Sequence, residues 1–328
     1  MATPKKAIDR LLTLELVRVT ERAAIAASLM RGRGDEKMAD QAAVDAMRME
    51  LNRLQIRGLV VIGEGERDEA PMLYIGEKVG TGKGPELDIA LDPLEGTTIC
   101  AKNLPNALAV IALTHRGGLL NAPDVYMDKI AIGPGFPEGL VDLEMPPEEA
   151  INRVAREKGV KPRQVAACIL DRPRHAKLVE AVRKTGASIR LIGDGDVAGI
   201  IHATDPDMTG IDIYLGIGGA PEGVLAAAAL RCMGGQMQGR LILDTEEKRA
   251  RAERMGVDDP SRIYSTEDMA SGDVLFAATG VTDGNLLDGV RFNHGLASTH
   301  TIVTRSHTGT QRWVRAQHHI GEKFGFID

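Results

Sequence analysis

Short apolar runs of strand length alternate along the chain with stretches whose apolar residues recur every three or four positions. Leu59-Val60-Val61-Ile62, Leu87-Asp88-Ile89-Ala90-Leu91, Val165-Ala166-Ala167-Cys168-Ile169-Leu170, Ile189-Arg190-Leu191-Ile192 and Ile211-Asp212-Ile213-Tyr214-Leu215 read as strands. Helical spacing links Leu11, Leu14, Leu16 and Val17, then Ala42, Val44, Met47, Leu51 and Leu54. It returns at Leu178, Val179 and Val182, and again at Val197, Ile200 and Ile201. An Ala- and Leu-rich helix follows Gly223, with Pro221 suited to its first turn and Glu222 at the positive end of its dipole. Such alternation predicts a layered α/β fold. At 328 residues the chain exceeds one typical core, which predicts two α/β lobes. The Pro-rich stretch 134–147 reads as the junction, dividing the chain into lobes at 1–140 and 141–328 with the site between them. No internal repeat or low-complexity tract interrupts the pattern.

Three of the predicted elements begin or end in acidic loops. The run 87–91 delivers Asp92, after which Pro93 is expected to stop the strand and a turn to bring Glu95 back beside Asp92. Two carboxylates that close are an uncomfortable pair without a cation. Gly96 lets the backbone approach a ligand, and Thr97 and Thr98 offer hydroxyls and amides where a helix could begin, a natural anion seat. An Asp-Pro turn with a solvated Glu and a Thr cap would have the same composition. Upstream, Leu59-Val60-Val61-Ile62 ends in Gly63-Glu64-Gly65-Glu66-Arg67-Asp68-Glu69, where alternation points Glu64 and Glu66 to one face. Asp40 reads as a helix start, where a carboxylate is more often a cap than a metal ligand. Oxygen-only ligands of this kind suit Mg²⁺ or Mn²⁺ rather than zinc. Cys100, Cys168 and Cys232 form no C-x-x-C pair and read as buried free thiols.

The second half supplies cations and sugar-hydroxyl acceptors. Arg172 and Arg174 flank Pro173 at a strand end, well placed to grip a phosphate in bidentate fashion. Asp194 and Asp196, in Gly193-Asp194-Gly195-Asp196, either accept hydrogen bonds from sugar hydroxyls or cap the following helix. Two look-alike motifs fail. Gly80-Thr81-Gly82-Lys83-Gly84 lacks the Ser or Thr of a P-loop, with Glu77 where a glycine is needed. Gly216-Ile217-Gly218-Gly219 has Pro221 at the third glycine position of a dinucleotide fingerprint.

These segments together resemble the class II, bacterial-type fructose-1,6-bisphosphatases of the metal-dependent, lithium-sensitive sugar and inositol phosphatase superfamily. The resemblance runs through Gly34-Asp35 with Asp40, Gly63-Glu64-Gly65-Glu66 into residues 68–78, and Asp92 to Thr97. It continues in Asn121-Ala122-Pro123-Asp124-Val125-Tyr126-Met127, Pro173-Arg174-His175, Gly193-Asp194-Gly195-Asp196 and residues 216–223. It implies an α/β/α/β/α sandwich of the sugar phosphatase type, with metal ligation by Asp40, Glu64, Asp92, Glu95 and Glu222. Glu95, Gly96, Thr97, Tyr126, Arg172, Pro173, Arg174, Asp194, Gly195, Asp196 and Gly219 would contact the sugar bisphosphate. The chain departs from the family where a lysine is expected after Gly-Arg-Gly-Asp: Glu36 stands there, with Lys37 one residue later. Arg172 likewise replaces a lysine before Pro173.

The reaction implied is hydrolysis of the 1-phosphate of D-fructose 1,6-bisphosphate to fructose 6-phosphate in gluconeogenesis, by direct attack of a metal-activated water. Thr97 would orient that water and Glu66 or Asp68 would take its proton. Arg172 and Arg174, or the basic C-terminal segment, would hold the second phosphate. Sedoheptulose 1,7-bisphosphate or an inositol phosphate is the alternative substrate, and a sugar-phosphate-binding module without turnover the alternative class. A net charge of −6 disfavours nonspecific nucleic-acid binding. The amphipathic start, with no signal peptide or membrane span, predicts a cytoplasmic protein, and a homo-oligomer is expected.

Overall fold

The computed structural model describes residues 8–65 and 72–323; Glu66 and Asp68 lie outside them. Helices α1 (Leu12–Ser28) and α2 (Glu36–Leu51) pack on each other and lead into β1 (Arg57–Ile62), β2 (Lys78–Val79) and β3 (Glu86–Glu95). A short α3 (Thr97–Ala101) precedes β4 (Leu108–His115) and β5 (Tyr126–Ile132). Next come α4 (Pro147–Glu157), β6 (Ala166–Leu170), α5 (Ala176–Lys184), β7 (Ser188–Ile192), α6 (Asp196–His202) and the single-turn α7 (Pro206–Thr209). Strand β8 (Ile213–Gly219) enters α8 (Ala220–Met233), followed by β9 (Gln236–Leu241), α9 (Glu246–Arg254), β10 (Ile263–Ser265) and α10 (Thr266–Met269). The chain closes with β11 (Val274–Gly280), β12 (Arg291–Asn293), the hairpin β13 (Leu296–Arg305) and β14 (Thr310–His319), and α11 (Ile320–Lys323).

The strands form two sheets. The first is eight-stranded, ordered β12-β13-β11-β4-β3-β1-β2 with β14 also paired to β13, and the second runs β10-β9-β5-β8-β6-β7. Strands β4 and β11 are buried almost throughout, so they read as continuous apolar runs rather than alternating ones. Three apolar clusters separate the layers. One lies between α1 and α2 and the first sheet, one between the two sheets around α6 and α8, and one between the second sheet and α4 and α5. The expected α/β/α/β/α sandwich is therefore the observed architecture. Helix α8 can be the middle layer because it is apolar on nearly every face and rich in alanine, letting both sheets close on it. Sheet membership interleaves along the chain: residues 57–115 and 274–319 build the first sheet, residues 126–265 the second. A division at residue 140 falls between β5 and α4, among segments of the second sheet. Among the described residues, no helix is long and apolar enough to cross a membrane.

His202 ends α6 inside the central layer, 2% exposed, and among the described residues neither ring nitrogen has a hydrogen-bond partner. Burial, reinforced by the Arg190 charge, lowers its pKa from 6.5 to about 4. Between those values the unfolded chain binds the extra proton, so stability is full above the unfolded pKa and falls as pH drops through the window. The His202 contribution at pH 5 is a loss of about 2 kcal/mol. His202→Leu is expected to raise the melting temperature at pH 5 relative to that at pH 7, compared with the same difference in wild type; an unchanged difference would rule this out.

Candidate active site

Strand β3 does not stop at Pro93. It continues to Glu95 through a bulge, since Asp92 pairs with Val110 and Glu95 with Leu108, leaving one extra residue on the β3 side. The expectation that Pro93 terminates the strand is corrected here: a missing N–H is tolerated where the ladder is already broken. Leu94 N donates to Asp92 Oδ1 at 3.0 Å, fixing that carboxylate. Gly96 then takes a left-handed φ of 87° and caps α3, which starts at Thr97. The bulge and this turn bring Asp92, Glu95 and Thr97 to one cavity.

Other elements bring their carboxylates to the same place. Glu64 follows β1, where Gly63 is required because a Cβ there would collide with Leu73 O. Asp40 is not a helix cap. The N-cap of α2 is Asp35, which accepts from Met38 N at 3.0 Å, and Asp40 sits more than a turn inside the helix. Glu222 stands in the first turn of α8, against Gly219, where any side chain would strike its carboxylate. Asp40, Glu64, Asp92, Glu95 and Glu222, with Thr97, line a cavity of about 330 Å³ that also takes in Asp124 and Asp194.

The electrostatics of this cavity are those of like charges gathered in a dry place. Burial first, then repulsion from Asp92, Asp40 and Glu222, raises Glu64 well above the ordinary glutamate value. Glu95 is raised well above it too, by burial and then by the Asp92 charge. Burial lifts Asp92 to about 6, and burial with the Asp196 charge lifts Glu222 to about 8. Glu222 Oε2 is buried and has no hydrogen-bond partner among the described residues. Glu95 shares a hydrogen bond with Asp92 and accepts from Val197 N at 2.9 Å, tying the first sheet to the start of α6. The carboxylates are gathered but not closed on one point: among the described residues no group of three or more His, Cys, Asp or Glu stands ready to hold a metal ion. The donor chemistry, all oxygen with one orphaned buried carboxylate atom, fits a hard divalent cation.

A second cavity of about 370 Å³ adjoins the first, sharing Asp124, Asp194 and Glu222, and is lined by Tyr126, Arg172, Arg174, Asp196 and Gly219. The Arg174 guanidinium lies over the Tyr126 ring, 4.6 Å from its centroid. His175 holds the turn beneath: Nε2 accepts from Ile217 N at 2.8 Å, so the proton is on Nδ1, which donates to Leu170 O at 2.7 Å. Pro173 and Gly195 line neither cavity. Pro173 opens the short turn that carries Arg174, and Gly195, with φ of 80°, caps α6. Glu36 begins α2 close enough to Asp194 to help raise that carboxyl, whose largest shift comes from burial.

Sequence reasoning missed Asp124 and Lys129. Asp124 lies in the segment 121–127 and lines both cavities. Lys129 is 1% exposed on β5, where its ammonium pairs with Asp196 and donates to Gly219 O at 2.9 Å. Its signal was a lone cation on the strand face of Met127 and Ala131. A buried lysine demands a carboxylate partner, and Asp196 is that partner rather than a simple helix cap.

The five-layer sandwich and the two joined cavities, one lined by carboxylates and one that adds arginines, define a class, the layered α/β phosphatases. The family described as "Bacterial fructose-1,6-bisphosphatase, glpX-encoded" matches residues 10–318, and the chain belongs to that family. It is 45% identical, over 95% of its length and 96% of the relative's, to the D-fructose 1,6-bisphosphatase class 2/sedoheptulose 1,7-bisphosphatase of Synechococcus sp. (strain JA-3-3Ab). The like-named protein of Synechococcus elongatus is 43% identical over 95% of this chain and 97% of its own. Among solved structures, the extragenic suppressor protein suhB from Bartonella henselae aligns over 60% of this chain and 74% of its own, at 15% identity and a TM-score of 0.35.

Proposed function

We propose that this protein hydrolyses the 1-phosphate of D-fructose 1,6-bisphosphate, giving fructose 6-phosphate and inorganic phosphate. Beyond family membership, the observation that carries the reading is the contiguity of the two cavities, a carboxylate-lined one for the reacting phosphate and one that brings Arg172 and Arg174 to the other. Asp40, Glu64, Asp92, Glu95 and Glu222 are the residues that would hold Mn²⁺ or Mg²⁺. Such an ion supplies neutralisation of phosphoryl oxygens and a lowered pKa for water. The chain's own contribution is positional. The Gly96 turn presents the Thr97 hydroxyl beside Asp92 and Glu95, where it can orient a water in line with the scissile bond. Arg172 and Arg174 neutralise the second phosphate, and Asp194 and Asp196 accept from sugar hydroxyls between the two ends. A homo-oligomer in the cytoplasm goes with this reading.

The second reading, a dual enzyme that also takes sedoheptulose 1,7-bisphosphate, is favoured by the double name its relatives carry. Metal-stripped protein is expected to release no phosphate, and Mn²⁺ or Mg²⁺ to restore release from fructose 1,6-bisphosphate. Sedoheptulose 1,7-bisphosphate and inositol monophosphate serve as comparisons. Silence with the fructose ester in the presence of either ion would overturn the assignment.

A further inference from the structure

Helix α9 forms part of the wall of the second, arginine-bearing cavity through Lys248, in its first turn. Thr245 caps the helix, accepting from Lys248 N at 3.3 Å. Arg251 Nη1 donates to Asp124 O at 3.3 Å, fastening α9 to the loop that both cavities share. The two arginines at this end have already committed part of their donor sets to main chain. Arg174 directs Nε and Nη2 to Ile217 O, at 3.2 and 2.7 Å, and Arg172 directs Nη1 to Asp171 O and Gly193 O, at 3.1 and 2.6 Å. They are fixed posts.

Lys248 is held differently. Its ammonium pairs with Asp244 Oδ1 at 2.7 Å, four residues back in the loop just before the cap of α9, with the two side chains 33% and 61% exposed. An ion pair so wet is weak. A phosphate carries nearly twice the charge of that carboxylate and more acceptor oxygens, so it competes well for a flexible ammonium. We propose that Lys248 is a specificity-determining residue for bisphosphates, paired with Asp244 in the free protein and handed to the second phosphate when substrate binds. This rests on the bisphosphatase reading above and adds to it the residue that discriminates a second phosphate from a bare hydroxyl.

The test compares kcat/KM for fructose 1,6-bisphosphate with that for fructose 1-phosphate, which lacks the second group. Lys248→Met is expected to lower the ratio about tenfold, through KM rather than kcat, as loss of one partly exposed charge-assisted contact. Lys248→Arg, which keeps the charge, is expected to restore most of the ratio. Asp244→Asn, which removes the competitor, is expected to lower KM for the bisphosphate. A ratio unchanged in Lys248→Met, or a loss confined to kcat, overturns the proposal. Failure of the underlying reading would show separately, as wild-type protein that turns over neither ester. Calorimetric binding of the two esters to wild type and Lys248→Met then decides the role of Lys248 by the same ratio.

Discussion

Asp92→Asn is expected to lower phosphate release from fructose 1,6-bisphosphate by roughly 10³-fold or more, about 4 kcal/mol of transition-state stabilisation. Asparagine keeps the size of the side chain and an oxygen for Leu94 N, so the bulge that sets Glu95 and the Gly96 turn is retained. What it removes is one negative charge from a cluster in which Asp92 lies beside Asp40, Glu64 and Glu95. Without metal that removal relieves repulsion, and the variant is expected to melt at or above the wild-type temperature. Stability and activity therefore move in opposite directions, which no general unfolding effect can imitate. Activity within about tenfold of wild type would refute the placement of Asp92 at the reaction centre. A fall in metal-free melting temperature would refute the repulsion argument instead.

Much of this arrangement was legible in the sequence because the layers depend on period. Strands at 87–91 and 211–215 and the Ala-rich segment after Gly223 occur as β3, β8 and α8. The acidic strand ends were readable for the same reason, since a carboxylate following an apolar run has to emerge at an edge. Features set by pairing across the fold were not readable. Pro93 predicts a break, but whether a break ends a strand or becomes a bulge depends on β4 alongside it, and β4 continues to pair at Glu95. Asp40 was placed at a helix start because its apolar spacing begins there, whereas Asp35 captures Met38 N and starts α2 earlier. Lys129 belongs to a strand that otherwise reads as core, and only the arrival of α6 beside β5 supplies Asp196. The interleaved sheets follow from the same limit. A Pro-rich stretch marks a change of direction, but not which sheet the strands beyond 274 will join.

Chelated protein is expected to lose stability as pH rises from about 4.5 to about 8, and to recover it when Mn²⁺ is added. The sign follows from the carboxylates. Asp92 is raised to about 6 and Glu222 to about 8, each chiefly by burial, so across this window the folded state holds protons that the unfolded chain has released. Stability therefore falls with pH, and the penalty is complete only above the folded values. A cation supplies from outside the charge that protons supply at low pH. At a concentration about 100 times its dissociation constant it contributes about 2.7 kcal/mol, about 4 °C of melting temperature for a chain of this size. Protons compete for the same oxygens, so the metal-induced shift should be larger at pH 8 than at pH 5.5. His202 acts in the opposite direction, destabilising the fold below 6.5, and would mask part of the slope in wild-type protein. Scanning calorimetry on the His202→Leu background separates the two. A metal shift that is equal at both pH values, or larger at the acidic one, would mean that Asp92 and Glu222 are not where the ion binds.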